Sequence, residues 1–120
     1  MSLSETQQAT DALYKRKRYK KDEREVKIDK NGTAVLYIFG YPIGAVTKDD
    51  RLFIKKPSII DSSIVIRQFS DMIQRGTDMR YWYWRDEVGG HQIGSDWTEI
   101  FDAGSVKIFN KQNPFKLYEQ

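Results

Sequence analysis

The chain has no cysteine, which excludes disulfides and thiolate metal sites. Histidine occurs once, as His91. Asp86, Glu87 and Asp96 lie near it along the chain, but the spacing matches no known ligand pattern, so no metal is expected. No apolar run approaches the ~20 residues that a membrane-spanning helix needs. The first residues also lack the apolar core of a signal peptide, and the expectation is a cytoplasmic protein without a membrane partner. A glycine-rich phosphate loop is missing as well: Gly40-Tyr-Pro-Ile-Gly44 has neither the spacing nor the lysine. Ser95 and Ser105 lie outside any G-x-S-x-G nucleophile context. The acids are scattered among turns and helix ends rather than converging as general acid–base work requires. Neither catalysis nor a cofactor is therefore expected.

Charge of one sign is also scarce once the chain is divided. The net charge is +3 over 120 residues, but residues 1–21 hold six Lys/Arg and two acids, whereas residues 22–120 hold fourteen and fifteen. The basic character belongs to the N-terminal segment. Residues 1–22 read as a flexible basic arm, because like charges at the density of Lys15, Arg16, Lys17, Arg18, Lys20 and Lys21 repel one another. As a nucleic-acid element, these six cations would displace phosphate counterions while Tyr19, with Tyr14, stacks on bases. As a plain tail, they would keep the chain soluble or pack on its own acids. Residues 23–120 read as a single α+β domain, long enough to bury a core.

What is present in strength is a meander from Arg24 to Lys56. Asn31-Gly32 between two alternating runs is a strong hairpin signal. A two-residue turn there pairs Lys30 with Thr33, Ile28 with Val35 and Val26 with Tyr37. One face then collects Val26, Ile28, Val35, Tyr37 and Phe39, and the other sets Glu25, Lys27 and Asp29 beside Ala34, Leu36 and Ile38. A second turn at Tyr41-Pro42 brings Gly44 opposite Phe39 and Val46 opposite Tyr37. A third at Asp49-Asp50 sets Phe53 against Val46 and Ile54 against Ala45. The middle strands are apolar on both faces, so each face needs a cover. A helix supplies one, and the aromatic C-terminal half or a second copy of the chain supplies the other.

Pro57 ends the meander. Ser58 and Asp61 are N-cap candidates for a main helix, in which Val65, Ile66, Phe69, Met72 and Ile73 recur at helical spacing before a stop at Gly76. Arg80-Tyr-Trp-Tyr-Trp-Arg85 follows. Read as a strand, it places Arg80, Trp82 and Trp84 on one face and Tyr81, Tyr83 and Arg85 on the other. Arg80, Trp82, Tyr83 and Trp84 are the candidate partner-binding residues, since Trp, Tyr and Arg dominate interface hot spots. The alternative is that these rings fill the second face of the sheet. Asp96 and Glu99 resemble a capping box opening a short helix through Trp97, Ile100 and Phe101. Beyond it, Val106–Phe109 is either a last strand or a continuation of that helix to Asn110. Phe115 and Tyr118 could dock the tail. The fold class is thus an antiparallel meander of about four strands, with one or two C-terminal strands, packed on one main helix.

The run VLYIFGYPIGAVT (Val35 to Thr47), followed by Arg51–Lys55 and by Asp61-Ser62-Ser63 before a helix, resembles small uncharacterised domains encoded by phages and other mobile elements. Those domains pair a Y-x-x-P-I-A hairpin with a short strand and a helix opened by hydroxyl residues. Here Gly44 stands where alanine is typical. Ser62-Ser63 replaces two threonines, and the histidine near the helix start is absent. The resemblance spans about 40 residues of the chain and implies a mobile-element origin. The functional expectation is a small interaction module that binds and modulates a host factor, or pairs with itself as a homodimer. The alternative is a nucleic-acid binder that uses the basic arm and an Arg/Trp face.

Overall fold

Ser4 opens the first element. Its hydroxyl accepts from the Gln7 amide at 3.2 Å while the Gln7 side chain accepts from the Ser4 amide at 3.0 Å, a complete capping box. Helix α1 (Glu5–Lys15) follows, with Ala9, Ala12 and Leu13 buried at i, i+3, i+4 spacing. It stops at Arg16, which takes the left-handed conformation with φ +53°. The computed structural model describes residues 3–58, 63–102, 105–110 and 112–114.

Residues 3–22, the described part of the expected flexible arm, are therefore not set apart from the rest. Strand β1 (Tyr19–Lys21) pairs antiparallel with β2 (Arg24–Ile28), and α1 packs on the same sheet. The repulsion anticipated in the basic segment is relieved by acids: Lys15 pairs with Asp11 at 3.0 Å, Arg16 with Asp50, and Lys21 with Glu5 at 3.8 Å. The apolar stripe of α1 is built mostly from alanine, which is why it reads as polar in sequence.

Five further strands complete an antiparallel sheet: β3 (Ala34–Ile38), β4 (Tyr41–Val46), β5 (Leu52–Ile54), β9 (Trp97–Ile100) and β10 (Val106–Phe109). The order is β1-β2-β3-β4-β5-β9-β10. The first and third expected meander registers are off by one and the second by three to four, each for a local reason. At the first turn, Asp29 Oδ1 accepts from the amides of Asn31 (2.8 Å) and Thr33 (3.0 Å), and Asp29 N donates to Thr33 O at 2.9 Å. The loop is then three residues long, with Gly32 at φ +82°. Ile28 faces Ala34 and Val26 faces Leu36, so the side-chain faces are exchanged relative to the two-residue turn. Thr47 and Asp50 build a similar loop, Asp50 N donating to Thr47 O with Asp50 at φ +64°, and Leu52 lands opposite Val46. The middle turn lies at Phe39-Gly40, with φ +53° and +81°, rather than at Tyr41-Pro42. Pro42 sits within β4 at a register shift, where a missing donor is tolerated. Gly44 faces Leu36 and Ile54, not Phe39.

Helix α2 (Ser63–Gly76) buries Val65, Phe69, Met72 and Ile73 as the spacing predicts, while Ile66 is only half-buried. It crosses the sheet where Gly44 lacks a side chain: a Cβ there would lie 2.8 Å from Met72 Sδ. Both helices cover the same sheet face, closing one core over Val26, Leu36, Ile38, Val46, Leu52 and Ile54. Arg24 and Gln68 are buried in it. Arg24 Nε donates to Gln68 Oε1 at 2.9 Å and Nη2 to Thr6 Oγ1 at 2.9 Å, and Gln68 donates to Thr10 Oγ1 at 2.8 Å, so β2, α2 and α1 are pinned together.

Between α2 and β9 the chain makes a separate three-stranded sheet: β6 (Tyr81–Trp82), β7 (Glu87–Val88) and β8 (His91–Gln92). Residues 97–100 are a strand, not the helix that the Asp96/Glu99 pattern suggests. Both neighbours, β5 and β10, offer ladder partners, and Glu99 is held on the sheet by Arg51 through bonds of 2.7 and 2.5 Å. Sheet pairing here overrides a local cap signal. Of the two readings for residues 106–109, the strand is realised. The second sheet face gathers Val35, Ala45, Phe53, Trp97 and Phe109, with cationic groups over the rings: Lys27 on Tyr37, Lys55 on Trp97 and Lys107 on Phe109, at 5.0–5.1 Å. Among the described residues no helix packs on this face. The expected cap Asp61, the Asp61-Ser62 part of the resemblance and the tail through Phe115 and Tyr118 lie outside the described residues.

Candidate docking surface

The Arg80–Arg85 run divides. Only Tyr81 and Trp82 are in a strand, and Tyr83 to Asp86 turn the chain. Tyr81 is the buried ring, packed edge-on against Phe69 with centroids 5.4 Å apart. Its hydroxyl donates to Asp86 Oδ1 at 3.0 Å, while Lys56 Nζ donates to Asp86 Oδ2 at 2.6 Å. The Asp86 carbonyl accepts from Ile93 N at 2.7 Å, and Arg85 N closes the turn on Trp82 O at 2.9 Å. Asp86 also takes the left-handed backbone, φ +52°, which Asp tolerates better than most residues. Its bond from Lys56 holds its carboxyl below the usual range against the opposing effect of burial, and Tyr81 lowers it further. Burial, with Asp86 alongside, raises the Tyr81 phenol.

This anchored turn leaves its rings outward. Trp82, Tyr83 and Trp84 are 39%, 58% and 60% exposed. Trp84 meets Trp82 at 4.8 Å and Tyr83 at 5.4 Å in edge-to-face contacts, so the three form one cluster rather than two strand faces. Arg85 donates to Glu87 at 3.3 Å. Arg80 is exposed and lines a recess of about 310 Å³ with Ser70, Gln74 and Tyr81. Tyr83 borders a second, open groove of about 820 Å³ between α1 and α2, whose other walls include Gln7, Arg67, Ser70 and Gln74.

The candidate nucleic-acid residues are not gathered. Lys15, Arg16 and Lys21 have carboxylate partners, and Arg16 also donates to the Thr47 carbonyl at 2.8 Å. Tyr19 is half-buried with its hydroxyl donating to Gln8 at 3.3 Å, and Tyr14 donates to Met72 O at 2.8 Å. Lys17, Arg18 and Lys20 remain exposed without a carboxylate partner among the described residues. Lys20 lies on the edge strand β1, where a lysine guards against edge-to-edge pairing. Lys107 is on β10, at the opposite edge of the sheet. Two of the three acids considered beside His91 are also committed elsewhere, Asp86 to Lys56 and Glu87 to Arg85. Among the described residues, the carboxylates that approach closely enough to share an ion are Glu5, Asp22 and Glu23, and Arg24 already pairs with two of them.

The chain matches no family model, no curated protein and no solved structure. No described helix is long and apolar enough to cross a membrane. Sequence reasoning singled out the rings but missed Asp86, which fixes them, and Arg67, which shares the adjoining groove. The available signal for Asp86 was a turn-forming aspartate right after the aromatic run.

Proposed function

We propose that the chain works in the cytoplasm as a protein-interaction module that binds rather than catalyses, and that the Trp82–Trp84 turn is its docking surface. The observation that carries this reading is the anchored cluster of three exposed rings. Rigid aromatic anchors flanked by arginine give the largest contact energy for the least entropy lost, and truncating one typically costs about 2–4 kcal/mol of binding. The dispersal and pairing of the basic segment favour this reading over a nucleic-acid arm, as does the charge balance of residues 22–120. The resemblance to mobile-element domains favours a host protein as the partner, with a second copy of the chain as the other choice. Photo-crosslinking tests this. A benzophenone side chain at position 84 should give one discrete adduct in the host cell, and the same group at position 20 none. An adduct of twice the 14.1 kDa chain mass identifies a self partner. Adducts from position 20 alone would contradict the reading.

A further inference from the structure

The arginines of this chain are mostly neutralised. Arg16, Arg24, Arg51, Arg75 and Arg85 each have a carboxylate partner. Arg18, Arg67 and Arg80 are exposed and have none among the described residues. Of these, Arg67 and Arg80 stand on the same stretch of surface. Arg67, Ser70 and Gln74 recur at i, i+3 and i+7 on the outward side of α2 and line the groove that Tyr83 borders. Arg80 closes the neighbouring recess against the same Ser70 and Gln74. The two guanidinium groups therefore flank a hydroxyl and an amide, with the aromatic turn along one side. Asp71, whose Oδ2 is buried, also lines the groove and leaves two arginines against one acid across the surface. From Arg67 to Gln74 the helix advances about 10 Å, which an extended peptide in the polyproline II conformation covers in about three residues, the interval at which its side chains return to the same face.

We propose that this surface receives an extended acidic segment of a partner protein, with carboxylates about three residues apart on Arg67 and Arg80 and an apolar side chain between them against Tyr83. The inference rests on the docking role of the aromatic turn and names the chemistry of what docks there. Each part follows from the surface. Planar guanidinium groups take carboxylates bidentately. Gln74 offers hydrogen bonds to a passing backbone, the Ser70 hydroxyl, which donates to Ile66 O at 3.0 Å, can accept one, and Tyr83 offers a ring face to an apolar side chain. The groove is open rather than enclosed, which suits a strand of chain more than a small molecule. A nucleic acid fits less well, because two arginines on a charge-balanced domain fall short of the basic stripe that a phosphate backbone needs.

Selection from a displayed library of random dodecapeptides on the full chain tests this, with circular dichroism confirming that each variant is folded. The expected result is enrichment of Asp or Glu pairs about three positions apart around an apolar residue. Binding of the selected peptides should fall about tenfold in Arg67→Glu/Arg80→Glu and weaken with salt. Enriched peptides without acids, or acidic peptides that bind Arg67→Glu/Arg80→Glu as well as the parent, would overturn the acidic-segment proposal. If such peptides were still lost in Trp82→Ala/Trp84→Ala, the docking role of the turn would stand. Recovery of the same peptides on Trp82→Ala/Trp84→Ala would overturn both. A single-stranded oligonucleotide that binds the parent chain and is lost in Arg67→Glu/Arg80→Glu would show that the arginines take phosphate, which also overturns the proposal.

Discussion

Asp86 does more for the aromatic turn than any ring in it. One oxygen accepts from Tyr81, the other from Lys56, and the backbone carbonyl ties down Ile93. Asp86→Asn keeps a residue that tolerates positive φ but removes the charge. Because the Asp86 side chain is about a third exposed, the cost is modest, about 1 kcal/mol, read as a drop of about 4 °C in thermal midpoint together with faster tryptophan depolarisation. The sign with pH is fixed by the lowered carboxyl. Its contribution is complete above the unfolded value near 3.9 and is lost as pH falls through the lower folded value. Acid titration of tryptophan anisotropy should show this loosening in the parent and not in Asp86→Asn. The buried Arg24 is a second single-residue determinant. Arg24→Ala strands Gln68 and costs about 3–5 kcal/mol, measured by denaturant unfolding. Arg24 was not legible as buried: an arginine between Glu23 and Glu25 looks solvated, and only Thr6, Thr10 and Gln68, brought in by two helices, make its burial tolerable.

At the scale of elements, the meander and α2 were legible because their periodicities are strong, whereas the turn geometry that sets register was not. Asp29 captures two backbone amides and lengthens the loop by one residue, and no count of apolar positions reports that. The Phe39-Gly40 turn is the sharpest case, since Phe39 is 57% exposed and held at φ +53° where Asn is favoured. Phe39→Asn is expected to stabilise the chain by about 1 kcal/mol, a rise in thermal midpoint. The helix contacts predict the opposite sign. A Cβ at Gly76 would lie 2.0 Å from Tyr14 Oη, and the hydroxyl is bonded to Met72 O. Gly76→Ala should destabilise by about 1–3 kcal/mol, and Tyr14→Phe in the same chain should recover part of that in a double-mutant cycle.

At the scale of the whole molecule, the basic segment and the domain are one folded unit. A chain starting at Asp22 loses the buried Ala9, Ala12 and Leu13 and leaves Gln68 without Thr10. It should give no cooperative thermal transition, whereas a detachable arm would leave the transition intact. The sequence pointed away from this because charge density at residues 15–21 is visible locally, while the acids that answer it, Glu5, Asp11 and Asp50, are brought near only by folding. The candidate site was legible in its rings and not in its setting, since α2 and the Arg67 groove reach the aromatic turn through tertiary packing. The central claim is that Trp82 and Trp84 are surface, held out for a partner, and not core. Thermal unfolding of Trp82→Ala/Trp84→Ala tests it most directly. Rings that are 39% and 60% exposed should cost about 1 kcal/mol together when removed, leaving a cooperative transition within a few degrees of the parent. A loss of about 3–5 kcal/mol for either ring, the cost of deleting a buried tryptophan, would contradict the account.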